Sequence, residues 1–567
     1  MTPDPAPATV ANSKSSTFWR DLLVVGLLIV IDMSIHALTG GPDRLIHDPA
    51  VYRWWDPNYL PGDWYTGISV ASRVYTFYAP IVNAYHWLNL PEEFWRLFLY
   101  LTSLGLLYYA IIRIGRVFTR SFLVAPLIVL FHAALVAGSA QPIWLYGPFI
   151  QIDGGLAPRS IGVAASFLAL FFLTKNRLLL ASLVLGLATL VHVSNSLIVF
   201  SLFLLAWIIN SYFQSRSSSG VSWLERARAV GLAVLVYLVA GGWFALYVAR
   251  ANGGVPADFP TEKFIWTWID LRAPYMDLPS LPLRSWLRLL FHVAVIGAGW
   301  WWLKNRVAER TRPALNLLAI IGLGAFGYFL LFYLFAFLTP WLPGFQFYSL
   351  RVVYLAYFVA YLFLSLIVLT LARPYLTKPS ATAVGLVLIL LAIAVFGSVP
   401  GIRSVGGKVE RLRVSYYRLL EVSGASVPEK YRSAPPSHAT FQYLYRQPEP
   451  FLAPPSWENG RYYLPNVASY KSFGFTPSSL AEWYERLNAT SRGEIERSYQ
   501  TQLKNGRFET LNWEWTNQYA LLTPEEILSL AERYQFRLFV TYRSVELPFP
   551  ILAEDDDNRL YQLPVTR

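Results

Sequence analysis

Three carboxylates, Asp48, Asp56 and Asp63, fall within HDPAVYRWWDPNYLPGDWYTG (His47 to Gly67), among Trp54, Trp55, Tyr59, Trp64 and Tyr65. A carboxylate held within reach of a substrate hydroxyl, where water is partly excluded, can act as a general base. Pro57, Pro61 and Gly62 make tight turns that fix the directions of Asp56 and Asp63. The flanking rings, Trp55, Trp64 and Tyr65 above all, can stack on sugar faces. The same residues also have ordinary uses. Asp forms turns and caps helices, and Trp and Tyr gather at membrane interfaces without any ligand.

Three further residues could hold an anion. Arg159 follows Asp153 and a Gly-Gly turn in IDGGLAPRS, at the start of an apolar run. An Arg at a helix start can hold a phosphate, helped by the unpaired N–H groups there, or can snorkel or pair with Asp153. His192 closes an apolar run in LATLVHVSN. At membrane depth it is either a functional group or a hydrogen-bonder between helices. Arg351, in GFQFYSLRVVYLAYF, heads another apolar run and either faces a lipid phosphate or snorkels. The middle of nearly every apolar run is free of ionisable groups, which suits ion translocation poorly. With Cys absent, disulfides and thiolate chemistry are excluded. No metal-ligand spacing, Walker loop or nucleophile elbow occurs, so no cofactor is required; a divalent metal on the Asp-rich loop is conceivable but has no motif behind it. Asn488-Ala-Thr is a formal glycosylation sequon of a kind common by chance.

These residues must be positioned by membrane helices. The chain of 567 residues is 55% hydrophobic and only 14% charged, against about 25% charged in soluble domains. About eleven apolar runs approach the length needed to cross a bilayer. They lie near Trp19–Leu38, Phe94–Ile114, Ser121–Ala140, Ser160–Thr174, Leu178–His192, Ser196–Phe213, Ala227–Ala249, Trp286–Leu303, Ala314–Leu338, Tyr348–Leu371 and Ala381–Val399. The polar knot His192 to Asn195 divides the fifth from the sixth. Arg and Lys with few acids occupy alternate loops, and Asp and Glu mixed with Arg occupy the others. The positive-inside rule then places the N-terminus in the cytoplasm and the acidic loops outside. The net charge of +12 reflects this topology rather than nucleic-acid binding.

The expected architecture is a polytopic α-helical membrane protein with a small C-terminal α/β extracytoplasmic domain. Residues 1–18 form a disordered cytoplasmic N-terminus, 19–400 the transmembrane domain with a first outer loop at 39–93, and 401–567 the outer domain. In the tail, an amphipathic connector covers 401–422, and short strands are expected at 449–455 and 461–464. Helices follow at SLAEWYERL and at Glu525 to Tyr534, the latter behind the capping box Thr523-Pro-Glu-Glu. Strands are expected at Arg537 to Tyr542 and around Arg559.

This layout resembles the GT-C superfamily of integral membrane glycosyltransferases. DPNYLPGDWYTG, LAPRSIGVAASFLALFFL, GLATLVHVSNSL and the tail segments PFLAPP, GRYYL, LAEWYERL and LSLAERYQFRLFVTY resemble, more narrowly, a bacterial and largely cyanobacterial branch of GT-C-like proteins. The resemblance implies a polyprenyl-phosphate-linked sugar as donor, inversion at the sugar carbon, and a glycan, lipid or protein acceptor at the outer face of the plasma membrane. Carried over, the acceptor carboxylate would be Asp63 first, then Asp56, then Asp48; Arg159, His192 and Arg351 would hold the donor phosphate. Many members carry their acidic pair directly after the first span, where this chain has only Asp43. The competing reading is a non-catalytic carrier, or a partner in polysaccharide or lipid export and assembly.

Overall fold

The computed structural model describes residues 10–35, 42–60, 63–136, 158–217, 222–251, 259–272, 278–279, 283–342, 345, 352–376, 379–396, isolated positions between 410 and 420, 438–446, 449–454, 477–505 and 513–564. Helix α1 (Val10–Ile35) starts well before the apolar run at Trp19. Part of the N-terminal segment expected to be disordered is therefore helical. Once an apolar helix exists, each added residue contributes a hydrogen bond without a new nucleation cost.

Four helices build the first loop and its exit: α2 (Pro42–Trp55), α3 (Trp64–Ala71), α4 (Tyr78–Leu88) and α5 (Glu92–Gly115). The bundle continues with α6 (Val124–Val136), α7 (Pro158–Thr174), α8 (Leu178–Val191), α9 (Val193–Ser217) and α10 (Trp223–Ala251). After the short α11 (Thr261–Trp266) come α12 (Leu283–Leu303), α13 (Arg312–Tyr333), α14 (Val353–Ala372) and α15 (Pro379–Phe396). Among the described residues six helical stretches are long and apolar enough to cross a membrane: α5, Val193–Gln214 of α9, α10, α12, Glu309–Leu338 containing α13, and α14. Their outer faces agree with that environment. Leu232, Leu235, Val239 and Leu246 of α10 are all exposed, a continuous apolar strip that lipid, not water, covers. The protein is a helical membrane protein.

Helix directions follow from contacts at the ends. Arg113, in the last turn of α5, lies over Phe171, in the last turn of α7. The two helices pack side by side and run parallel. Asn210 near the end of α9 donates to the Pro313 carbonyl at the start of α13, and Trp207 donates to Asn176 between α7 and α8. The starts of α5, α7, α9 and α14 therefore gather at one end of the bundle, with the first loop.

The C-terminal segment sits at that same end. It contains α16 (Ala439–Arg446), α17 (Pro477–Thr490), α18 (Glu494–Asn505), α19 (Pro524–Tyr534) and a four-stranded sheet. The strands are β1 (Phe451–Leu452), β2 (Leu538–Tyr542), β3 (Ile551–Glu554) and β4 (Asn558–Gln562), in the order β1-β2-β4-β3. β1 pairs parallel with β2, and the other pairs are antiparallel. Alternation divides the sheet faces. Phe451, Leu538, Val540 and Leu560 pack with Phe441 and Leu444 of α16, whereas Leu452, Phe539 and Tyr561 join the larger core that includes α17 and α19. The Thr523 side chain accepts from the Glu526 N–H and Glu526 accepts from the Thr523 N–H, so the capping box expected from the sequence is formed. β3 and α18 were not expected, and the strand expected at 461–464 lies outside the described residues.

Candidate functional site

The break between α8 and α9 is a single residue. His192 has extended dihedrals (φ −142°, ψ 84°) while its N–H still closes α8 on the Ala188 carbonyl at 2.9 Å. Its ring then serves the next helix: Nδ1 accepts the Asn195 backbone N–H at 3.3 Å, the role a capping side chain plays toward the third helical residue. With Nδ1 accepting, the ring proton sits on Nε2, which is then a donor.

Two other helix starts converge on this break. α7 opens with Pro158 at its first position, where a missing N–H costs nothing, and Arg159 follows. One turn later Gly162 faces His192; a Cβ on Gly162 would stand 3.1 Å from the His192 Cβ, a tight contact that would push the two side chains apart by a few tenths of an ångström. From the start of α14, the Tyr354 hydroxyl donates to Asn195 Oδ1 at 3.4 Å. Asn195 Nδ2 donates to Ser166 Oγ at 3.1 Å, and Ser166 donates to the Gly162 carbonyl at 2.8 Å. Asn195 is 2% exposed. This buried chain of hydrogen bonds ties the first turns of α9 and α14 to the second and third turns of α7. Arg159 lies within electrostatic reach of Tyr354. Arg159, in the first turn of α7, and the His192 ring, which caps α9, both lie near helix starts, where the helix dipole favours negative charge. Of the three expected phosphate holders, Arg159 stands one turn before Gly162, which meets His192. Arg351, three residues before Tyr354 in the chain, lies outside the described residues, as does Asp153. Asn195, Ser166 and Tyr354 were not singled out from sequence, because each is an unremarkable polar residue in its own apolar run.

The first loop is a different kind of place. Asp48 is 3% exposed and pairs with Arg96 Nη1 at 2.9 Å. Arg96 also binds Glu92 at 2.7 Å, and Glu92 accepts from Tyr52 at 2.6 Å and from Tyr85 at 3.3 Å. Burial, and next the Glu92 charge, push the Tyr85 hydroxyl up to about 12. Asp63 is 7% exposed and caps α3: its Oδ2 accepts the Thr66 N–H at 2.7 Å and the Thr66 hydroxyl. Both carboxylates carry structural work. Asp56 is exposed and holds an Asx turn, its Oδ1 accepting the Asn58 N–H at 2.9 Å. Arg53 was missed from sequence. Its Nε donates to the Tyr59 carbonyl at 2.8 Å while Nη2 is buried without a hydrogen-bond partner. Burial lowers its pKa, opposed by the Asp63 charge.

The expected stacking rings are also placed. Trp55 stacks on His86 with centroids 4.1 Å apart, and remains 41% exposed. Trp64 donates from Nε1 to Glu482 of α17 at 2.7 Å and lies under the Arg486 guanidinium, so it docks the C-terminal segment. Tyr65 lies in α3 and its side chain is outside the described residues. A second dock joins α11 to the C-terminal helices: Lys263 pairs with Glu496 at 2.6 Å over the Tyr484 ring.

Within the bundle, His292 Nε2 lies 3.0 Å from the Tyr361 hydroxyl, and the His132 ring meets the same tyrosine edge-on. The sequence expectation of clean span interiors overlooked this grouping, because each histidine stands alone in its run. Among the described residues no group of three or more His, Asp or Glu side chains could hold a metal ion. No protein-family model matches the chain, and no match is found among curated proteins.

Proposed function

We propose that the protein is an inverting glycosyltransferase that moves a sugar from a polyprenyl-phosphate donor to an acceptor at the outer face of a bacterial plasma membrane. In this reading the apolar runs make eleven crossings, the N-terminus is cytoplasmic, and residues 401–567 form an extracytoplasmic domain. The observation that carries it is the convergence of the α7, α9 and α14 N-termini with Arg159 and His192. Such a site neutralises a phosphate that gains charge as it leaves.

The step balances simply. The acceptor oxygen forms a bond to the anomeric carbon, and the bond from that carbon to the phosphate oxygen breaks. The polyprenyl phosphate departs with the electron pair, and the acceptor proton passes to a carboxylate. Asp56 is the carboxylate we assign, since it is exposed and holds a local turn, whereas Asp48 and Asp63 are buried against their structural partners. Arg159 and the His192 Nε2–H hold the leaving phosphate, and Trp55 offers a ring face to the sugar.

The test is transfer from labelled polyprenyl-phosphate sugars in membranes holding wild type, Arg159→Gln or Asp56→Asn at matched levels. Wild type should label an acceptor, and Arg159→Gln should lose about 100-fold, the scale of one transition-state charge contact. Equal labelling by wild type and Arg159→Gln, or none from any such donor, sinks the reading.

The buried grouping of His132, Tyr361 and His292 favours a second reading, a proton-coupled carrier, because ionisable groups in a bundle interior mark ion paths. Proton-driven uptake into vesicles that His292→Gln abolishes would support it.

A further inference from the structure

The C-terminal helices form an open polar cleft of about 550 Å³ that the donor site does not use. Its volume is typical of small-molecule sites, which span about 300–1,000 Å³. Three guanidinium groups line it from separate elements: Arg492 from the turn between α17 and α18, Arg497 from α18 and Arg533 from α19. Asn488 and Gln518 add amides, and Glu485 and Glu526 add carboxylates. Among the described residues, Ala489 and Gly493 are the only lining residues without a polar side chain, and no aromatic ring lines it.

The arginines are incompletely used. Arg492 donates through Nε to Glu526 at 3.1 Å. Arg497 directs Nε and Nη2 to one oxygen of Glu494, and Arg533 pairs with Glu485. The Arg497 and Arg533 side chains are themselves more than half exposed, and exposed ion pairs are worth only about 0–1 kcal/mol. An incoming bidentate anion therefore displaces them at small cost. Arg492 itself holds a left-handed backbone (φ 55°) directly before left-handed Gly493 (φ 78°), a conformation that an L-residue other than glycine adopts only at a cost.

Position adds the rest. Glu482, Glu485, Arg486 and Ala489 fall at helical spacing on α17. Glu482 and Arg486 touch Trp64 of the first loop, while Glu485 and Ala489 line the cavity. The cavity thus begins within about 10 Å of that loop, seven residues of helix rise.

We infer that this cavity binds an anionic saccharide, one whose carboxylate or phosphate meets the arginines and whose hydroxyls meet Asn488, Gln518 and the glutamates. That the saccharide is the acceptor rests on the transfer reading above; that it binds does not, and binding is measured without any donor. The probes are tetragalacturonic acid, its methyl-esterified form and inorganic phosphate, titrated against the full-length protein in detergent. The free acid should bind at least about tenfold tighter than the ester, the scale of one charge-assisted pair. The double variant Arg492→Gln, Arg497→Gln should erase that preference, and Arg413→Gln should not. Glu526→Gln provides a check that does not risk the fold, because Gln also completes a capping box; it should tighten the free acid by releasing Arg492. Equal affinity for acid and ester, tighter binding of phosphate than of the acid, or a preference that survives the double variant each overturns the proposal.

Discussion

The acidic first loop and the basic helix junction sit at one end of the bundle, yet the same kinds of residue are spent differently in each. In the loop, a stretch rich in carboxylates turns out to hold itself together: Asp48 satisfies Arg96, and Asp63 caps α3. At the junction, residues from three distant runs meet, with Asn195 bonded to partners 29 and 159 positions away. Local density of reactive side chains therefore measures local structure as much as chemistry. Turns and caps draw on Asp for the same reasons that catalysis does.

Four measurements sharpen or break that contrast. The largest effect expected is on stability: Asp48→Ala should cost about 3 kcal/mol, because it strips a partner from a buried guanidinium. Thermal unfolding in detergent reads this directly. If Asp48→Ala stays fully stable but inactive, Asp48 does chemistry rather than structural work and the contrast fails. Next, Arg159→Gln should lower transfer about 100-fold, or about 2.7 kcal/mol of transition-state stabilisation. Arg113→Gln, whose side chain lies over Phe171 at the opposite end, should change it less than about twofold. Third, Asp63→Ala should cost about 1 kcal/mol of stability through the lost cap, while Asp63→Asn keeps most of it. A matched Asp56→Asn variant should lose transfer and keep its unfolding temperature.

The smallest effect concerns pH. Hydrogen bonds from Lys263, Tyr484 and Gln500 outweigh burial and hold the Glu496 carboxyl below its ordinary 4.5. A depressed acid stabilises the folded state above that ordinary value and ceases to do so as pH falls through its folded one. Protease sensitivity of the α17–α18 region should therefore rise only below about pH 4.5. Glu496→Gln should flatten that rise.

How much was legible follows the same division. The long helices were readable because twenty apolar residues in a row have few other uses. α19 was readable because Thr523, Pro524 and Glu526 specify its start within four positions. α18 was missed because its apolar residues are few: among the described side chains Ile495 and Tyr499 alone are buried. β3 was missed because it is an edge strand without alternating burial. At the candidate site, Arg159 and His192 could be named because charge and imidazole are rare in apolar runs. Ser166, Asn195 and Tyr354 could not, since nothing in their neighbourhoods announces partners on other helices. Arg53 and Arg96 were not singled out, because only the fold buries Arg96 and half-buries Arg53.

The shortness of α8 has a consequence of its own. Its 14 residues rise only about 21 Å, against about 30 Å of hydrocarbon. In the transfer reading, a helix of that length started at the cytoplasmic headgroups turns back at His192 before it reaches the outer ones, and the imidazole and the helix starts around it would lie recessed, out of easy reach of free phosphate in the surrounding water. A phosphate carried on a lipid arrives there sideways, and its encounter rate is governed by how many copies share each patch of bilayer. Occupancy of such a junction would follow surface density rather than millimolar concentration, and soluble anions would make poor inhibitors.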